Sequence, residues 1–438
     1  MHGRLGLQHA LILSVIIGGF WLLDTVKDPL FATIVGIEYQ PTAKLLSVLF
    51  TIITVMVYDH LTSVVSKPTL FYIVSGTYGV LFLIISGCLP NHQEIGDASS
   101  NQSYSKELGW VAFFVIESYG SMMVALFWSF TNSIMDLEEA KGAYGLILSI
   151  AQTGAIIGST LAANAKTIGY PLLFLVGAIL SLSVTLFIKL YHIVFVDEAT
   201  VASINRVRTW TDDEESFGGF CEGLSLIYHH KYVLRIFAVS CFYEVVVTVL
   251  DYEFKMIGAG SLAPSHSSEE NSGESFKFAN LMGKFGQMTN LLTMVVSLFG
   301  FSFFVNNFGV RSSLMIFPSL LLSAVVLANL VPSLWVLFFI VSILKASAYS
   351  LNDPVKELLY QPTSVPIKYK AKAWIDVFGS RLAKAGGSFI SHLAHGSVSR
   401  LQLVSELPSI VISIILLVFA WQAGTQFQYL VRNGLVVG

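Results

Sequence analysis

Long runs of apolar residues alternate with short polar breaks from one end of the chain to the other. The first, HALILSVIIGGFWLL, carries no acidic or basic residue other than the opening His9 before Asp24 is reached. A helix that crosses a bilayer needs about 20 mostly apolar residues, because in hydrocarbon its backbone groups must pair within the segment. On that criterion the pattern predicts about twelve spans, near 7–35, 43–64, 70–89, 108–134, 142–164, 170–196, 233–257, 281–305, 312–330, 333–351, 373–394 and 404–423. The stretch 197–230 interrupts the series with TDDEES and then an amphipathic segment at 217–228. It divides the spans into two groups of six, as expected of two repeats packed around one cavity. The expected organisation is an N-terminal six-helix half at 1–196, a cytoplasmic linker at 197–230 and a C-terminal six-helix half at 231–438. A second polar stretch, 261–274, rich in Ser and Glu, reads as a solvated loop.

Composition agrees with an all-α membrane protein. Of 438 residues, 54% are hydrophobic and 12% charged, about half the charged fraction of about 25% usual in soluble proteins. The first run lacks a basic leader beyond Arg4 and a small-residue cleavage site, so it reads as a membrane helix and not a signal peptide. The net charge of −3 and the absence of basic runs argue against a nucleic-acid partner. Cys88, Cys221 and Cys241 have no metal or redox spacing. Neither a P-loop, a metal-ligand set nor a nucleophile–base pair is present, so no catalytic residue, metal or cofactor is expected and the chain is not read as an enzyme. With the N-terminus inside, the inner side collects Arg4, Lys67, Arg206, Arg208, Lys231, Arg311, Lys368, Lys370, Lys372 and Arg432. The outer loops hold Lys106, Lys166, Lys277 and Arg400, so both termini are expected in the cytoplasm.

The charges inside the spans change the picture from architecture to chemistry. Span one has Asp24, Lys27 and Asp28, span four Glu117, span seven Glu244, Asp251, Glu253 and Lys255, and span ten Lys345 with Asp353 and Lys356 at its end. A charge at bilayer depth costs about 2.5–3.5 kcal/mol on insertion scales, so each needs a partner or a wet cavity. A scatter of structural ion pairs is the alternative, but polarity at every third helix is what three-helix repeats around a shared pathway give. Asp24 and Lys27 are spaced i,i+3 and Asp251 and Lys255 i,i+4, so each lysine can lean on a carboxylate until an anionic ligand opens the pair. Pro29 should kink or end the first span. The stretch 374–390 carries Asp376, Arg381 and Lys384 beside Gly379, Gly386 and Gly387. Arg381 and Lys384 share a helix face, and with glycines that permit close approach they suggest a site for an anion. The bland alternative is two long side chains snorkelling to the interface.

At these residues the chain resembles the ATP/ADP translocases of plastids and obligate intracellular bacteria. DTVKDPL at 24–30 resembles that family's DTKDTL, and EYQPTAK at 38–44 its E-x-x-P-x-x-K step. ESYGS at 117–121 followed by FWSFTN at 127–132 resembles ELWGS…FWGFAN, and LDYEFK at 250–255 resembles VEVTWK. DPVKE at 353–357 and VFGSRLAKAGG at 377–387 are similar to DPTKE and VVGSRLGKSGG. The resemblance implies a major-facilitator-like carrier whose first, fourth, seventh and tenth helices line the cavity. It implies exchange of ATP for ADP, or proton-coupled import of a nucleotide or related anion, with phosphate or a proton as coupled ion. A receptor that binds an anion without moving it is a further alternative. The family's essential charges correspond to Lys27 or Lys44, Glu117, Asp251 and Lys384. A polyphosphate needs several cations: Lys27, Arg381 and Lys384 come first, Lys255 and Lys356 next. Asn132, Tyr119 and Trp374 are candidates for base and ribose, although aromatic residues in such helices more often pack. The expected setting is the lipid bilayer of a bacterial inner membrane.

Overall fold

The computed structural model describes residues 2–65, 67–89, 105–134, 137–195, 218–261, 271–364 and 366–438, and they are almost wholly helical. Eight helices among the described residues are long and apolar enough to cross a membrane. The other expected spans, 43–64, 142–164, 281–305 and 373–394, are helical as well. Contacts divide the chain into two compact units.

The first unit comprises Met1–Asp212 and Gly258–Met294. Its helices are α1 (His2–Ile34), α2 (Gln40–Val64), α3 (Lys67–Cys88), α4 (Lys106–Ile134), α5 (Leu137–Ala163), the short α6 (Ala165–Ile168) and α7 (Tyr170–Phe195). The early part of α10 (Asn271–Leu330) joins them. Helix α1 is central, packing on α4, α5 and α7. Its approach to α5 is close because Gly154 and Gly158, spaced i,i+4, carry no side chain. A Cβ on Gly154 would stand 2.1 Å from the carbonyl oxygen of Ser14, and one on Gly158 2.2 Å from that of Gly18. Small residues at this spacing let membrane helices meet backbone to backbone. Pro29 does not end α1, which continues to Ile34. A proline at this position forfeits one backbone hydrogen bond, and packing on three helices keeps the segment helical around it. The expected loop at 261–274 is shorter than the pattern suggested, since α10 already starts at Asn271, while 262–270 lie outside the described residues.

The second unit comprises Asp213–Ile257 and Val295–Gly438. The amphipathic stretch forms α8 (Gly218–His229), followed by α9 (Lys231–Ser261). The rest of the predicted linker, 197–217, is outside the described residues. Helix α10 breaks at Gly309, whose φ of 76° is open to glycine, so the run from 310 onward turns away as a separate helix. Helix α11 (Leu334–Ser347) passes through a π-helical turn at Ala348–Asn352 into α12 (Asp353–Leu359). Two more π-helical turns, Ile367–Ala371 and Ile375–Gly379, flank the short α13 (Lys372–Trp374) and lead into α14 (Ser380–His392). Helix α15 (Val398–Asn433) completes the unit. Such turns shift the side chains that follow them out of α register, and they gather at functional sites.

Candidate functional site

Each unit holds a cluster of ion pairs at the residues that the sequence singles out. In the first, Lys27 is 4% exposed, and its Nζ donates to Asp24 Oδ1 at 2.6 Å and to Glu117 Oε1 at 2.7 Å. The ammonium also stands 4.9 Å from the centroid of the Phe113 ring. The Asp24 contact follows from helical spacing, whereas the Glu117 contact exists because α4 packs on α1. Asp28 accepts a 2.6 Å hydrogen bond from Gln40 Nε2. A cation desolvated this far is held by its two carboxylates, and an arriving polyanion can compete for it.

In the second unit, Asp251 on α9 is buried between two lysines. Its Oδ2 accepts from Lys255 Nζ at 2.6 Å and its Oδ1 from Lys345 Nζ, on α11, at 2.5 Å. Lys384 on α14 lies 3.6 Å from Glu244 Oε1 and is nearly half exposed, at 46%. Lys356 Nζ bonds Asp353 Oδ1 at 2.7 Å and stands 4.8 Å from the Tyr243 ring centroid. Around Lys356 there is a cavity of about 270 Å³. Helix α9 lines it with Ser240, Tyr243 and Glu244, helix α12 with Asp353, Lys356 and Glu357, and the next stretches with Tyr360, Ile375, Asp376 and Ser380. Asp353 directly follows one π-helical turn and Asp376 lies within another, which is how two carboxylates from different helices come to face one space.

The structure therefore joins Lys27 to Glu117, and Asp251 to Lys255. Lys345 joins this cluster as well, a residue that its charge in an otherwise apolar helix marked without assigning it a role at the site. Arg381 is partly exposed on α14, in the turn before Lys384. The side chain of Asn132 is outside the described residues. Tyr119 is fully buried between Tyr78 and Phe82, and Trp374 packs on Phe237, so both are packing residues and not exposed walls for a base. Two of the three glycines near Arg381, Gly379 and Gly387, serve packing. A Cβ on Gly387 would lie 2.5 Å from the carbonyl oxygen of Val245, and one on Gly379 2.8 Å from Cys241 Sγ, so the close approach they permit is that of α9.

Comparison with known proteins decides the family. The TLC ATP/ADP transporter family matches residues 6–331 and 275–429. The chain belongs to the TLC ATP/ADP transporter family. Among its relatives is ADP,ATP carrier protein 3 of Rickettsia felis, 23% identical over 453 residues, 89% of this chain and 87% of the relative. ADP,ATP carrier protein 1 of Chlamydia muridarum is 24% identical over 459 residues, 92% of this chain and 83% of the relative. As a TLC-family transporter the chain carries out transport and not catalysis, and it is an integral membrane protein. Its fold is similar to that of solved transporters. The crystal structure of nucleoside transporter NupG aligns with a TM-score of 0.60 at 14% identity, over 97% of this chain and 99% of that one. An inward-facing bacterial homologue of the iron transporter ferroportin aligns with a TM-score of 0.57 at 12% identity, over 96% and 98%.

Proposed function

We propose that this chain exchanges ATP for ADP across a bacterial inner membrane by alternating access. The family match over most of the chain carries this reading. The buried, paired lysines support it, because a nucleotide polyphosphate needs cations that are desolvated yet can be released from their carboxylates. Lys27, Arg381 and Lys384 bind phosphate oxygens, with Lys255 and Lys356 as further cations and Asn132 at the base or ribose. Glu117 and Asp251 hold the lysines in the empty carrier. About twelve spans form two six-helix halves, 1–196 and 231–438, joined by the cytoplasmic linker 197–230, with both termini in the cytoplasm. The counter-substrate travels with or without phosphate. In a proton-coupled member, one of the carboxylates would carry the proton instead.

The test is uptake of labelled ATP into proteoliposomes of the purified protein. Exchange requires that preloading the lumen with ADP accelerate uptake severalfold over empty vesicles. Equal uptake by empty vesicles, driven by an imposed pH gradient, would establish proton-coupled import. Saturable binding without uptake under either condition would make the chain a receptor.

A further inference from the structure

Helix α15 carries an exposed stripe framed by charges that the transport reading leaves unused. Val411, Ile414, Val418, Trp421, Thr425 and Tyr429 recur every three or four residues, so they share one side of the helix, and all are exposed. As far as Val418 the stripe is aliphatic, a surface suited to acyl chains. Trp421 and Tyr429 then supply the amphipathic rings that gather where a bilayer meets water. At this level two arginines flank it. Successive helix residues are turned by about 100°, which puts Gln422 and Gln426 on one side of the stripe and Gly424 on the other. On the first side Arg235, one turn into α9, donates from Nε to Gln422 Oε1 at 3.1 Å and from Nη1 to Gln426 Oε1. On the second, Arg311 follows the break at Gly309 and packs on Gly424, where a Cβ would meet its Cα at 3.0 Å. Its guanidinium stands 5.3 Å from the centroid of the Trp421 ring. Both cations are thus held by neutral groups. Among the described residues neither has a carboxylate at ion-pair distance, whereas Lys27, Lys255, Lys345, Lys356 and Lys384 each have one.

We propose that this face of α15 binds an anionic phospholipid: its phosphodiester oxygens accept from the guanidinium groups of Arg235 and Arg311, and its acyl chains lie along the stripe towards Val411. A guanidinium presents a planar fork of donors that matches paired phosphate oxygens, and Arg235 keeps its Nη2 group for that purpose. Basic pockets between helix ends select such lipids in membrane proteins. The arginines stand on opposite flanks, so a lipid with two phosphodiesters on one glycerol, of the cardiolipin type, engages both at once. Phosphatidylglycerol, with one, engages either. A zwitterionic headgroup brings its own ammonium towards the arginines and gains least. A second copy of the chain fits this face less well. Pairing about a two-fold axis would bring each stripe's arginines towards those of its partner, with no carboxylate on the stripe to offset them. None of the residues assigned to the nucleotide takes part.

The experiment is native mass spectrometry of the purified full-length protein, titrated in detergent with cardiolipin, phosphatidylglycerol or phosphatidylcholine. The wild type should bind cardiolipin tightest and phosphatidylcholine weakest, and inorganic phosphate should not displace the lipid. Arg235→Gln and Arg311→Gln should each weaken cardiolipin about tenfold, the effect of one charged hydrogen bond, and leave phosphatidylcholine unchanged. Arg235→Lys and Arg311→Lys keep the charge and the aliphatic stem, so they should lose less than the Gln variants. Lys368→Gln removes an exposed cation elsewhere in the same unit and should leave all three affinities level. Equal affinity of the wild type for the three lipids would overturn the site. So would displacement by inorganic phosphate, or a loss in Lys368→Gln equal to that in the arginine variants. A wild-type dimer that Val418→Trp splits would also overturn it, since the stripe would then belong to a second copy.

Discussion

At the scale of the residue, the decisive fact about Lys27 is that it is almost completely buried and yet paired twice. Lys27→Ala should weaken binding of ATP and ADP about tenfold or more, the worth of a charged hydrogen bond, and should affect adenosine far less. Displacement assays with nucleoside, mono-, di- and triphosphate check this in protein that still folds. The same fold loss for all four would mean that the lysine only braces α1 against α4. Of the ion pairs in the two units, the local ones were legible in the sequence. Asp24–Lys27 and Asp251–Lys255 follow from three- and four-residue spacing on a helix, which needs no knowledge of tertiary structure. Lys345–Asp251 and Lys384–Glu244 bridge residues far apart in sequence, and no local pattern encodes which helices meet. The Lys27–Glu117 contact is of that kind too, though polarity in spans one and four pointed towards it.

At the scale of the element, adjacent glycines in α14 have opposite roles. A Cβ on Gly386 meets nothing nearer than Val245 Cγ2 at 3.9 Å, while one on Gly387 would press within 2.5 Å of the Val245 backbone oxygen. Gly386→Ala should therefore leave stability level or raise it, by up to about 1 kcal/mol from helix propensity alone. Gly387→Ala should lower it, because a backbone carbonyl cannot swing aside. Thermal melting of the two variants in the same detergent is the check, and equal melting temperatures would show that α14 is not seated on α9 as described. The glycines were visible in the sequence, and so was the helix. Their partner was not, and close approach was assigned to a ligand. The π-helical turns were invisible for another reason. They differ from an α-turn by one residue of hydrogen-bond register, too little to disturb an apolar run that is buried on several sides. That small shift is what sets Asp353 and Asp376 at one cavity.

At the scale of the whole molecule, the length of the apolar runs located helices, because a bilayer imposes nearly the same length on each. Orientation rests on the lysine and arginine bias of the loops. In a Cys88→Ser background, Cys221 and a Gly434→Cys substitution should both escape an impermeant maleimide in intact cells and react after permeabilisation. Labelling of both in intact cells would invert the topology. The difference in exposure between Lys384, at 46%, and Lys27, at 4%, has a practical side as well. An amine-reactive ester reads lysine accessibility as a mass increment on a peptide. In the empty carrier it should tag Lys384 readily and Lys27 hardly at all. Saturating ATP should shield Lys384, giving a footprint of the phosphate chain that needs neither vesicle nor mutant.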